Sequence, residues 1–129
     1  MKKNDLIIRK DDYELLHDFL KGKFGKTLFD RQNAEALNEE LAHARIVNAT
    51  SFPEKVVRLH SRVKVKEEKG NRILEFMLVT PDKADIRQQK ISVLTPMGVA
   101  LIGFREGTTV NRQMPAGMRS FTILEVHND

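Results

Sequence analysis

Apolar residues in the first third of the chain recur at helical spacing. Leu15, Leu16, Phe19 and Leu20 share one face of a segment from about residue 11 to 22, with charged positions between them. Asp11, followed three residues later by Glu14, is an acidic variant of the capping box and predicts where that helix starts. Gly22-Lys23-Phe24-Gly25-Lys26 breaks the pattern. Asp30 is a second N-cap candidate, and Ala34, Leu37, Leu41 and Ala44 then alternate three- and four-residue spacings, a heptad-like seam through about residue 47. Two helices joined by a short Gly-containing connection predict an antiparallel hairpin. Ahead of them, Leu6-Ile7-Ile8 fits either a short strand or an apolar tether.

After Thr50-Ser51-Phe52-Pro53 the period changes from helical to alternating. Val63 and Val65 alternate with Lys64 and Lys66, predicting a half-buried strand over Ser61 to Glu68, and Lys69-Gly70-Asn71 is turn chemistry leading into a more apolar strand from Arg72 to Thr80. Ile91 to Val93 predicts a brief strand. Thr108 to Gln113 and Met118 to Val126 predict a hairpin around Pro115-Ala116-Gly117, its last strand carrying Phe121 and Ile123 on one face and Leu124 and Val126 on the other. The expectation is an α+β chain with a boundary near Pro53: a helical hairpin over residues 1–52, and a small twisted antiparallel sheet with one short helix over 53–129. Each part is small for an independent core, so the two are expected to pack together around Phe52 and Pro53.

The most informative run is Ser92-Val93-Leu94-Thr95-Pro96-Met97-Gly98-Val99-Ala100-Leu101-Ile102-Gly103. Pro96, with a preset φ and no N–H to satisfy, suits the first position of a helix, and Gly103 suits a left-handed residue closing it. Leu101 and Ile102 read as core. The loop Pro81-Asp82-Lys83-Ala84-Asp85 precedes this run, and Val110, Pro115-Ala116-Gly117 and a terminal strand follow it. This order resembles the C-terminal domain of the Gre family of bacterial RNA polymerase secondary-channel factors, over roughly residues 53 to 126. The resemblance implies a sheet like that of the FK506-binding proteins. It also implies RNA polymerase as partner, docking at the rim of its channel near the motif helix through Thr95, Pro96, Met97 and Gly98, and a coiled-coil arm that enters the pore.

Cleaving members of that family carry acidic residues at the arm tip, where carboxylates help hold a catalytic Mg²⁺. This sequence departs from that pattern. Its helices predict lengths of only about 20 and 27 Å at 1.5 Å per residue. Between Lys21 and Arg31 the charged residues are Lys21, Lys23, Lys26, Asp30 and Arg31, one carboxylate among four cations. Such a tip repels a divalent cation. The short arm, Pro53, Val56-Val57 and Ser61-Arg62-Val63 are similar to the Rnk group of regulators of nucleoside diphosphate kinase. The resemblance therefore implies a transcription regulator that binds the polymerase without cleaving its transcript, with a Gre-type cleavage factor using Asp30 with Asp18 or Glu35 as the alternative. Lys21, Lys23, Phe24, Lys26 and Arg31 are the arm-tip candidates for meeting acidic polymerase surface or phosphate. The plainer reading, which the sequence favours, is a solvated loop whose lysines suit a helix end.

Composition narrows the remaining classes. The chain has 129 residues, no cysteine and a net charge of +4. Residues 1–52 carry nine cations and nine carboxylates, and residues 53–129 carry thirteen and nine, so the excess lies wholly in the second part. That is too small and too interspersed to define a nucleic-acid binder, and contact with nucleic acid is expected only indirectly. The absence of cysteine excludes disulfides and thiol chemistry, and no apolar run reaches membrane-spanning length. A cytoplasmic monomer without cofactors is expected, with dimerisation through the hairpin seam as the competing arrangement. His17, His43, His60 and His127 lack metal-ligand spacing, no phosphate-binding glycine loop or nucleophile elbow occurs, and Glu67-Glu68 reads as a solvated edge. Prolyl isomerase activity, suggested by fold analogy alone, lacks the aromatic lining such a pocket needs: there is no Trp, and Tyr13 lies outside the sheet domain.

Overall fold

The computed structural model describes residues 6–21, 28–114 and 117–128. Leu6, Ile7 and Ile8 are all buried, and the apolar run becomes strand β1 (Ile7–Arg9). Helix α1 (Lys10–Lys21) follows without a break, and helix α2 (Leu28–Ala42) leads into β2 (Arg45–Val47). β1 and β2 pair in parallel, Ile7 opposite Arg45 and Arg9 opposite Val47. The two helices are thus fastened at their base by strands. Asp11 falls in the first turn of α1, where its carboxylate takes both Arg9 guanidinium contacts (2.5 and 2.6 Å) and the Asp12 N–H, instead of capping the helix. The second helix stops earlier than its seam predicts: Ala44 lies beyond its end, and the β-branched pair Ile46-Val47 goes to the strand. At 1.5 Å per residue the helices measure about 18 and 22 Å.

The main sheet has the order β5-β4-β3-β7-β6, built from β3 (Arg62–Glu67), β4 (Arg72–Val79), β5 (Lys90–Ser92), β6 (Thr109–Met114) and β7 (Gly117–His127). It is mixed and not wholly antiparallel, because β5 runs parallel to β4. Gly70 and Asn71, both at positive φ, close the β3–β4 turn. The expected two-faced pattern of β7 fails at Leu124. The β3 register jumps from Glu125 opposite Lys64 to Ile123 opposite Val65, so Leu124 is the extra residue of a bulge. Val126 thereby joins Phe121 and Ile123 on the buried face, while Leu124 is exposed. Glu67 is also not a solvated edge: it is buried and ion-paired with Arg119, whereas Glu68 accepts from the Thr122 hydroxyl.

One continuous core joins the helices to the sheet. Ile8, Leu16, Leu37 and Leu41 pack with Val57, Leu59, Val63, Leu78, Ile123 and helix α3 (Pro96–Leu101). The contact is not centred on Phe52 and Pro53, which are half-buried and outside this cluster. Two further fastenings cross the junction. Asp12, buried, accepts both arms of the Arg58 guanidinium at 2.8 Å. Gly103, at φ +88°, donates to the Val57 carbonyl (2.9 Å) and accepts from the Ile7 N–H (3.0 Å), and a Cβ placed there would lie 2.5 Å from Leu6 Cδ1.

Gly103→Ala is expected to cost about 2–4 kcal/mol, combining left-handed strain with the overlap on Leu6. Urea denaturation measures it, and a loss within error of zero contradicts the packing described. The Arg9 side chain holds the Asp11 carboxyl down to about 2 from an ordinary 3.8. A depressed carboxyl stabilises the fold fully above its unfolded value and loses that contribution as pH falls toward 2. Asp11→Asn should therefore lower stability near neutral pH, and the gap to the unmodified chain should close on acidification.

Candidate docking groove beside the motif helix

Helix α3 is short, and its start is specified atom by atom. The Thr95 hydroxyl donates to the Ser92 carbonyl (2.8 Å) and its oxygen accepts from the Gly98 N–H (3.0 Å), while Ser92 Oγ accepts from the Leu94 N–H (3.0 Å). Pro96 occupies the first turn, where its missing donor costs nothing. Gly98 is buried, and a Cβ there would lie 2.7–2.8 Å from the backbone of Ser92 and Val93. Only a glycine lets the helix sit this close to the end of β5. Leu101 and Ile102 are buried, as their place in the motif predicts.

This arrangement leaves Thr95, Pro96 and Met97 half-buried along a groove of about 750 Å³. Its floor is Leu74 and Phe76 of β4 with Phe121 of β7, and its far side is the 84–91 segment. Ile73 and Ile86 stand at the mouth, 53% and 89% exposed. Among the described residues that line it, the charged ones are Glu75 and Lys90. The rest of the lining is apolar or uncharged, so the groove suits apolar surface. Three of the four sequence candidates thus come together at one groove, and Gly98 lies beneath them as packing. Ile73, Ile86 and Ile91 did not figure among the candidates. The available signal was Ile86, a lone large apolar residue in the otherwise small and polar run Ala84-Asp85-Ile86-Arg87-Gln88-Gln89.

The arm candidates are less fully visible. Lys21 and Arg31 are exposed, and Lys23, Phe24 and Lys26 lie outside the described residues. Asp18 and Glu35 are exposed. His17, Leu20 and Lys21 of α1 share a shallow cleft with Ala34, Glu35 and Asn38 of α2, and Tyr13 stacks on His17 with ring centres 5.8 Å apart. Among the described residues no group of three or more His, Asp or Glu stands close enough to hold a metal ion, and no helix is long and apolar enough to cross a membrane.

The family model for the C-terminal domain of the transcription elongation factors GreA/GreB matches residues 52–128. This chain belongs to that family. It is 30% identical to a "Transcription elongation factor GreA" of Amoebophilus asiaticus over 81% of its own length and 66% of that protein's. It is 36% identical to the "Regulator of nucleoside diphosphate kinase" of Escherichia coli over 72% of its length and 67% of that protein's. The chain thus spans about two thirds of the length of these curated relatives. Among solved structures, a prokaryotic transcription elongation factor GreA/GreB from Nitrosomonas europaea superposes with a TM-score of 0.74 at 29% identity, covering 95% of this chain and 98% of the other. Thermus aquaticus Gfh1, at 22% identity and a TM-score of 0.52, shares the fold.

Gly98→Ala should destabilise by about 1–3 kcal/mol, because overlap with fixed backbone outweighs the roughly 1 kcal/mol that alanine gains over glycine in a helix. Thr95→Ala, which removes the cap, should cost about 1 kcal/mol. Thermal unfolding reads both; a stabilised Gly98→Ala variant would refute the tight approach of α3 to Val93.

Proposed function

We propose that this chain is a non-catalytic transcription regulator that binds bacterial RNA polymerase near its secondary channel. The sheet-bearing part, residues 53–129, docks through the groove at Thr95, Pro96 and Met97, and the helical part, residues 1–52, reaches toward the pore with Lys21, Lys23, Phe24, Lys26 and Arg31 at its tip. The observation that carries this reading is the open apolar groove lying directly against the segment that marks the family. Partner binding through such a groove rests on a few buried apolar anchors.

The cation-rich tip and the short helices support a role without transcript cleavage. The kinship to proteins named elongation factor GreA supports the alternative, a cleavage factor in which Asp30 works with Asp18 or Glu35. Docking as a monomer and acting without a bound cofactor complete the proposal.

The test uses purified core polymerase at low salt, where electrostatic guidance is strongest. The unmodified chain should bind. Ile86→Glu, which places a charge on a fully exposed position and so leaves the core untouched, should weaken binding at least tenfold. With backtracked complexes, no transcript cleavage above the polymerase's own rate is expected. Cleavage that disappears in Asp30→Ala would establish the alternative.

A further inference from the structure

Strand β4 is longer than its outer neighbour. Residues along a strand point their main-chain groups alternately to the two sides. Leu78 donates to the Ser61 carbonyl (3.0 Å) and accepts from the His60 N–H (2.6 Å), so the even-numbered residues of β4 face β3. The Met77 N–H donates to the Gln89 carbonyl and the Val79 carbonyl accepts from the Val93 N–H, both at 2.8 Å, so the odd-numbered residues face β5. But β5 pairs only with Met77 to Val79. The chain ahead of it turns off the edge at Gln89, which takes a left-handed conformation (φ 57°, ψ 38°) and gives its N–H to the Ile86 carbonyl. The N–H and C=O groups of Ile73 and Glu75 therefore point past the end of β5, with no strand beside them among the described residues. Both residues are exposed and both line the apolar groove.

We propose that this open edge accepts an extended segment of a partner protein, which adds as a strand beside Ile73 to Glu75 and seats alternate apolar side chains in the groove. The proposal rests on the docking reading, since it states the form in which a partner enters the same groove. Main-chain pairing would supply affinity, and the floor of Leu74, Phe76 and Phe121 would select apolar residues. Arg62 and Lys90 share a cavity with Glu75 at this edge, and the neighbouring charges along the chain are Arg72 and Arg87 against Asp85, four cations to two carboxylates. That balance favours a segment with an acidic flank. Gln89 adopts a left-handed backbone that non-glycine residues rarely take, and it is there that the chain leaves the line along which a longer β5 would have covered the edge.

The test uses the full chain and a short acetylated peptide of alternating valine and threonine with an N-terminal aspartate. Two further versions carry N-methyl groups on alternate residues, each removing the donors of one edge. By NMR, the parent peptide should shift the Ile73 and Glu75 amide signals downfield and slow their exchange. One methylated version should bind at least tenfold more weakly, and the other like the parent. Equal binding of all three, no binding, or unmoved Ile73 and Glu75 amides would overturn the proposal. So would concentration-dependent protection of those amides in the peptide-free protein, which would assign the edge to a second copy of the chain. Hydrogen exchange in the polymerase complex separates the two readings. Tight polymerase binding with Ile73 and Glu75 unprotected keeps the docking groove and refutes the strand mode. Peptide binding without polymerase binding supports the strand site and refutes polymerase docking.

Discussion

Three parts of the chain meet at the backbone of Gly103. Its left-handed turn ends α3, its N–H holds the segment ahead of β3 through Val57, and its carbonyl holds β1 through Ile7. The Leu6 side chain fills the space where a Cβ would be. Without that approach, β1 would lose its hydrogen bond to Gly103 and the packing on Leu6, and the base of the helices would be held only by the shared core and the Asp12–Arg58 pair. A residue chosen by local backbone geometry thus sets a long-range arrangement.

The Asp12–Arg58 pair acts at the same junction by different physics. Taking both charges largely out of water costs much of what their attraction returns, so the pair's net contribution to stability is small beside its gross attraction. Its two parallel contacts at 2.8 Å accept one relative orientation of α1 and the segment leading into β3. Together with Gly103 it makes the helices and the groove parts of one body with a common core.

Local chemistry in the sequence is faithful to the structure, and non-local pairing is not. The span predicted for the first helix, 11–22, lies one residue from the observed Lys10–Lys21, and the β3–β4 hairpin and left-handed Gly103 sit where their residue types place them. Each of these depends on neighbours a few positions away. The parallel β1–β2 pairing depends on residues nearly forty apart, and β2 was hidden because Ala44 continues a helical spacing that the helix itself abandons. The bulge at Leu124 is invisible to an alternation rule, since the rule assumes that no residue is extra. Glu67 looks solvated because its partner, Arg119, lies fifty-two positions away. The groove escaped for the same reason: Thr95 to Met97 announce themselves by motif, but Ile73, Phe76, Ile86 and Phe121 become a surface only when four separate segments are brought together.

The parallel pairing of β1 and β2 carries a consequence for how such proteins can diverge. Arg45 donates to the Leu6 carbonyl, and the two strands run in register from Ile7 to Arg9. Both ends of the helical excursion are therefore held together at its root by main-chain pairing, whatever residues join α1 to α2. Length beyond the root and attachment at the root are thereby separable variables, because the fastening does not depend on what lies between the two helices.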